Sequence, residues 1–445
     1  MSNLQSSMST LEQTGDLERP NQVEKLGGAK DSGFLAQIAY DDPFVQPLLL
    51  SALQARLPAT AYETVESLPS PFNGRLLQVL PYEKLAFDIA LRNPSRVLIN
   101  AYVIRKAIIR KHFLAATVHS WITKHPSSIL KDHVKPSIDF ELDYAEFLDE
   151  ALLDAYEVRD SLMKNEELPG SDREWWILKP SMTDRGQGIR LFSSEAELTG
   201  IFEGWEAEQE SDEDDEDEDD DAVGKDHSGN INASQLRHFI AQPYIHPPLL
   251  LSSSLNRKFH IRTYAVAVGS LKVFVYKPML ALFAVETYAA PWEQPDLRAH
   301  LTNTCLQGTG EREGSVRAFW DLEEDAPGLP SNWKTRAFEQ ICGVTGELFE
   351  AAARNMLVHF QTLPNSFEMF GLDFLLDASG NPWLLEANAF PDFKQTGDDL
   401  KDVVQGLFEE LVDVAVKPFF GIAELDEPAK VQRMFKVLDI DMGRR

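Results

Sequence analysis

The sequence predicts an α/β (α+β) chain in which two strand-rich units close on a shared cleft. Three observations carry this. Phe370-Gly371-Leu372-Asp373-Phe374-Leu375 and Trp383-Leu384-Leu385-Glu386-Ala387-Asn388 are apolar runs separated by Asp377-Ala378-Ser379-Gly380-Asn381-Pro382, a dense set of turn residues. Trp175-Trp176-Ile177-Leu178-Lys179-Pro180 reads as a buried strand ending in a lysine, followed by a loop containing Gly186-Gln187-Gly188-Ile189. Arg257-Lys258-Phe259-His260-Ile261-Arg262 reads as a strand that runs through Tyr264 to Val268, turns at Gly269-Ser270 and returns over 271–276.

In chain order, residues 1–33 are polar and read as a tail. Residues 34–165 form an N-terminal domain, with strand or helix signals at 34–39, 44–53 and 76–80. Arg105 to Lys124 shows helical apolar spacing and is the basic stretch of the chain. Tyr144 to Met163 reads as an acidic helix burying Phe147, Leu148, Leu152, Leu153 and Tyr156. Residues 166–262 make a central domain with an acidic insertion over 205–232. Residues 263–420 make a C-terminal domain, in which Ala337 to Leu363 and Leu400 to Val416 read as helices. Residues 421–445 read as a second tail.

The length of 445 residues suits two or three domains. The net charge of −29 is uneven, because Glu206 to Asp221 holds 13 acidic residues and no basic one. Such a run buries nothing and reads as disordered. An acidic chain also speaks against sequence-independent nucleic-acid binding, which depends on neutralising phosphates. The two cysteines, Cys305 and Cys342, lack zinc-ligand spacing and fit a reducing compartment. The N-terminus lacks a signal-peptide pattern and no apolar run is long enough to span a membrane. Cytoplasmic location is the expectation.

The chemistry concentrates at four places. A hairpin over 370–388 would bring Asp373, Glu386 and Asn388 together, the hard oxygen ligands that Mg²⁺ shares with phosphates. Lys179 is a point charge for an α- or β-phosphate, and the glycines of the following loop let backbone approach phosphate closely. Period-two alternation puts Lys258, His260 and Arg262 on one face of their strand, with Phe259 and Ile261 on the other. This is either an edge strand with a solvated face or a row of cations in a nucleotide cleft. In Gln242-Pro243-Tyr244-Ile245 the Pro243 carbonyl and the Ile245 amide are free for an adenine edge.

The order of these motifs resembles the tubulin–tyrosine ligase family, a branch of the ATP-grasp ligases, over roughly residues 97–400; the chain looks like a divergent, fungal-like member. The resemblance implies an ATP-grasp fold with two subdomains holding ATP and Mg²⁺ between them. It implies phosphate contact from Lys106, in Arg105-Lys106-Ala107-Ile108-Ile109. It also implies nucleotide contacts from Lys179, Gln187, Gly188, Ile189, Gln242, Pro243, Tyr244, Ile245, Lys258 and His260, and from Thr302 and Asn303 in His300-Leu301-Thr302-Asn303. Arg262 and Lys258 are the expected catalytic residues, with Arg262 matched to a carboxylate and an acyl phosphate. Two positions depart from the pattern. His260 stands where the family has an aspartate near the ribose. Leu282, in Leu280-Ala281-Leu282-Phe283-Ala284, stands where the family has an arginine for the amino-acid carboxylate. Lys277 and Lys394 are candidate substitutes.

The implied reaction activates a protein carboxylate as an acyl phosphate, which the amine of a free amino acid then displaces. The resemblance points to the α-tubulin C-terminal tail as carboxylate and tyrosine as amine, with glutamate or glycine as other options. The rival reading is an ATP-binding scaffold without ligation, associated with ribonucleoprotein granules.

Overall fold

The computed structural model describes residues 33–40, 42–69, 72–181, 183, 186–215, 237–294, 296–302, 315–326, 328–389, 391, 393, 400–423 and 431–442. Four short strands, β1 (Phe34–Ile38), β2 (Tyr62–Thr64), β3 (Leu76–Val79) and β4 (Val97–Ile99), form a parallel sheet in the order β2-β1-β3-β4. Every residue of β3 and β4 is buried and all but Gln78 are apolar, as in a parallel strand covered on both faces. The helix Val45–Arg56 presents Leu48, Leu49, Ala52 and Leu53 to the adjoining core.

The central sheet comprises β5 (Ile138–Glu141), β6 (Trp176–Pro180), β7 (Arg190–Phe192) and β8 (His238–Pro243), all antiparallel, in the order β5-β8-β6-β7. Trp176 and Leu178 point into a cluster with Phe192, Phe202, Trp205 and Phe239. Strand alternation therefore turns Ile177 and Lys179 to the opposite face, which is the cleft.

The largest sheet holds β9 (Arg257–Val268), β10 (Lys272–Tyr276), β11 (Leu280–Thr287), β12 (Val316–Ala318), β13 (Phe367–Leu376), β14 (Pro382–Ala389) and β15 (Met434–Asp439). β9 is its spine. It pairs with β10 and β11 along one edge and with β13 along the other. The solvated face of the edge-strand alternative is excluded, because Lys258, His260 and Arg262 are buried. Phe259 and Ile261 enter the main core together with the helix Trp333–Asn355, which leaves Lys258 and His260 facing the cleft.

Several expected elements differ. The helix over Arg105 to Lys124 breaks at Arg110, whose extended backbone (φ −103°, ψ 125°) separates Lys106–Ile109 from Lys111–Lys124. The acidic helix breaks at Ala155 into Leu148–Asp154 and Tyr156–Asn165. Its buried stripe is Leu148, Leu152, Ala155, Val158 and Leu162, at three- and four-residue spacing, while Phe147, Leu153 and Tyr156 fall off that face and are exposed. The helix expected to reach Leu363 ends at Asn355, and the helix Lys401–Leu411 continues as one π turn, Val412–Val416. The acidic insertion begins inside structure: Trp205 is 1% exposed and the helix Glu195–Asp215 carries the first half of the run. The rest of that run lies outside the described residues. The segment expected as a C-terminal tail supplies β15, which pairs antiparallel with β10. No described helix is long and apolar enough to cross a membrane.

Candidate functional site

Between the central sheet and the β9 sheet lies a cleft of about 80 Å³. One wall is Ile177, Lys179 and Pro180 from β6, with Gly186 and Ile189 from the loop beyond it. The other wall is Lys258 and His260 from β9, Asp373 and Leu375 from β13, and Leu385 and Glu386 from β14. Gln242 to Ile245 join the two, and His300 to Thr302 close one end. Gly186 and Gly188 take φ of +79° and +70°, so the loop turns where a side chain would strain it.

Three lysines converge here. Lys179 and Lys258 are buried, and Lys111 reaches in from the start of its helix. Lys179 donates to the Gln242 side-chain oxygen at 2.9 Å, and Gln242 donates in turn to the Lys135 carbonyl and the Ser137 hydroxyl. Burial, opposed by the Glu386 charge and aided by Lys111, lowers the Lys179 ammonium from its usual range to about 8. Burial and the charge of Lys179 bring Lys258 down to about 7. Two buried ammonium groups repel each other, and Glu386 acts as a counter-charge to Lys179 alone. A polyphosphate would supply negative charge to both.

The carboxylates share a wall with Lys258, across from Lys179. Asp373 and Glu386 are direct cross-strand partners, and Gly371 opposes Asn388 two residues away. Side chains at 373, 386 and 388 thus share one face. The Asn388 amide donates to Glu386 Oε1 at 3.2 Å, and Lys111 Nζ lies 3.8 Å from Glu386 Oε2. Burial opposes the ionisation of Glu386, but Lys111, Asn388, Lys179 and Arg262 together hold its carboxyl below the usual range. Among the described residues no three His, Cys, Asp or Glu side chains converge as a metal cage. Two carboxylates and one amide are hard oxygen donors that would suit Mg²⁺.

Arg262 does not line the cavity; it is clamped on Asp373 through Nε and Nη2. Burial works against its charge, yet Asp373 outweighs this and raises the guanidinium above its ordinary value. Gly371 makes room: a Cβ there would sit 2.9 Å from Pro391 Cβ and 3.3 Å from Arg262 Cδ. His260 bonds Thr302 Oγ1 through Nδ1 at 2.6 Å, while its Nε2 is buried without a hydrogen-bond partner among the described residues, 3.6 Å from Asp373 Oδ1. The Tyr244 amide donates to the Trp175 carbonyl at 2.7 Å. In extended backbone the flanking Pro243 carbonyl and Ile245 amide then point the other way.

The chain matches the tubulin–tyrosine ligase family over residues 90–421. It belongs to that family. It is 42% identical over 86% of its length to a probable tubulin–tyrosine ligase of Schizosaccharomyces pombe, of which it covers 91%. It is 43% identical to the probable tubulin–tyrosine ligase PBY1 of Saccharomyces cerevisiae, aligning 85% of this chain with about half of that protein (51%). Among solved structures it is similar to the C-terminal domain of K. lactis Pby1, described as an ATP-grasp enzyme interacting with the mRNA decapping enzyme Dcp2. That likeness has a TM-score of 0.68 and 36% identity, and covers 92% of this chain and 99% of that domain. The fold is therefore ATP-grasp.

In this tubulin–tyrosine ligase family member the structure gathers Lys179, Ile189, Gln242, Pro243, Tyr244, Ile245, Lys258, His260, Thr302, Asp373 and Glu386 at one cleft. Lys106 is exposed and is not among the residues lining it, whereas Lys111, beyond the break at Arg110, is. Gln187 is exposed and holds the loop through its carbonyl, which accepts from Thr183 Oγ1 at 3.0 Å. Asn303 and Lys394 lie outside the described residues. Lys277 sits over the rings of Trp320 and Phe435, away from the cleft. Leu282 opposes His260 across the β9–β11 ladder and packs in an apolar cluster with Tyr264 and Phe393. His300 and the Tyr244 hydroxyl escaped sequence reasoning. The sign was there for His300, in the same four-residue motif as Thr302, but not for the Tyr244 hydroxyl, whose partners are remote in sequence.

Proposed function

We propose that this chain is an ATP- and Mg²⁺-dependent carboxylate–amine ligase that joins an amino acid to a protein carboxylate. The observation that carries this reading is the convergence of Lys111, Lys179 and Lys258 with Asp373 and Glu386 on one cleft. In this reading the lysines hold the polyphosphate, and the segment from Pro243 to Ile245 takes the adenine edge. Mg²⁺, held by Asp373, Glu386 and Asn388, would neutralise charge on the transferring phosphate. The carboxylate becomes an acyl phosphate with release of ADP, and the amine displaces phosphate to leave an amide. Positioning and charge neutralisation supply the rate, as in phosphoryl transfer generally.

Family membership supports the α-tubulin tail as protein substrate and tyrosine as amine, but Leu282 favours a second reading. A leucine buried among apolar neighbours offers no counter-charge to an amino-acid carboxylate. In that reading the chain binds ATP and acts as a scaffold for partners, as the Dcp2 interaction described for K. lactis Pby1 suggests. Purified protein incubated with MgATP, tubulin and radiolabelled tyrosine, glutamate or glycine separates the two. ATP-dependent incorporation supports the ligase. MgATP binding without incorporation into tubulin or other protein favours the scaffold.

A further inference from the structure

Lys258 is held by a hydrogen-bond chain that reaches out of the cleft. Its Nζ donates to the Tyr244 hydroxyl at 2.9 Å and lies 4.2 Å from the centre of that ring. The Tyr244 oxygen is 2.8 Å from His300 Nδ1, and His300 Nε2 is 2.8 Å from the Gln294 carbonyl. A carbonyl only accepts, so Nε2 carries the His300 proton and Nδ1 is an acceptor. Tyr244 must then donate its hydroxyl proton to His300. Its oxygen lone pairs are left to accept, and Lys258 supplies a donor. Tyr244 is 9%, Lys258 6% and His300 2% exposed, so water does not compete for these bonds. Tyr288 shares the Tyr244 hydroxyl and in turn meets His246 Nδ1 at 2.7 Å, at the exposed end of the chain.

We propose that Tyr244 and His300 are positioning residues for Lys258: the tautomer fixed by Gln294 leaves the Tyr244 oxygen to accept from Lys258, which favours the ammonium form and aims it at the nucleotide. The titratable groups facing Lys258 are Lys179 from β6, Tyr244 and His246 after β8, His260 on its own strand, His300 beyond β11, and Asp373 and Glu386 on the same wall of the cleft, of which Lys179 is the charge that shifts it. Lys179 and the neutral histidines give the ammonium no negative charge. The Tyr244 oxygen is the acceptor the fold provides. Burial pushes His300 down to about 4, so it stays a neutral acceptor across the working range. The inference rests on the reading of the cleft as an ATP site.

The test is calorimetric titration of the full chain with MgATP between pH 6 and 9. Tyr244→Phe, which keeps the ring and removes the acceptor, should bind about tenfold or more weakly, the scale of a lost charged hydrogen bond. The pH at which affinity falls should also move down, because the ammonium loses its support. His300→Ala should shift the profile the same way, and His300→Gln, whose side-chain oxygen accepts the same hydroxyl, should recover it. Equal weakening at every pH would reduce both residues to structural supports and overturn the proposal, as would wild-type behaviour in both variants. Should either variant unfold, ¹³C NMR titration of Lys258 in the wild type decides: a titration that MgATP leaves unmoved sinks the proposal. A wild type that binds no adenine nucleotide sinks the reading of the cleft as well.

Discussion

Arg262 grips both carboxylate oxygens of Asp373, with Nη2 3.2 Å from Oδ2 and Nε closer still to Oδ1. The pair is buried, and it ties β9 to β13 where the two strands are in register. Asp373 therefore serves the fold as well as any metal. Removing one member of a buried pair strands the other, at a cost of about 3–5 kcal/mol. Asp373→Asn should lower stability by that order in denaturant melts. Glu386→Gln, by contrast, should leave stability nearly intact, because Glu386 is half-buried, and should abolish the Mg²⁺ dependence of nucleotide binding. Equal stability losses in the two variants would contradict this division of roles.

The lysines predict a proton linkage. Lys258 and Lys179 are lowered to about 7 and about 8 by burial, so in the free protein both lose protons as pH rises through that range. Bound phosphate favours the charged forms and raises both values. MgATP binding should therefore take up protons above pH 7, and affinity should fall as pH rises through 7 and 8. Calorimetry in two buffers of different ionisation enthalpy measures the uptake. A buffer-independent enthalpy at pH 8 would show that the lysines are already charged. Lys258→Met should remove part of the uptake.

Leu282 predicts a gain rather than a loss. It sits opposite His260 on β11, 2% exposed. Under the scaffold reading, Leu282→Arg restores a cation beside the cleft and should confer amino-acid transfer on a protein that binds MgATP but transfers none. Under the ligase reading the wild type transfers already. The substitution then buries an unpaired charge in an apolar cluster and costs stability. A radiolabel assay paired with a thermal melt distinguishes these outcomes.

The acidic run predicts an asymmetry. Trp205 packs on Phe202 and Phe239, and Glu206 Oε1 accepts from the Ala145 amide at 2.6 Å. Trp205→Ala should cost about 3–5 kcal/mol, the usual loss for a buried aromatic. Deleting 216–221 should leave the melting temperature unchanged. A large loss on that deletion would mean the run packs beyond its helical half.

The sequence alone determined the strands and what they carry. Alternation made Lys258 and His260 face away from Phe259 and Ile261, and turn chemistry at 377–382 brought Asp373 opposite Glu386, because side-chain direction in a strand follows from position alone. Motif order was enough to identify the family. Tertiary structure decided the rest. That Lys111, beyond the break at Arg110, lines the cleft and Lys106 does not is something no local pattern of cations reveals. That Arg262 is spent on Asp373, and that Tyr244 and His300 brace Lys258, depends on contacts between residues up to 111 positions apart. The helix breaks at Arg110 and Ala155 and the pairing of β15 with β10 were likewise hidden, since packing against distant elements overrides local helical period and the polar look of a chain end.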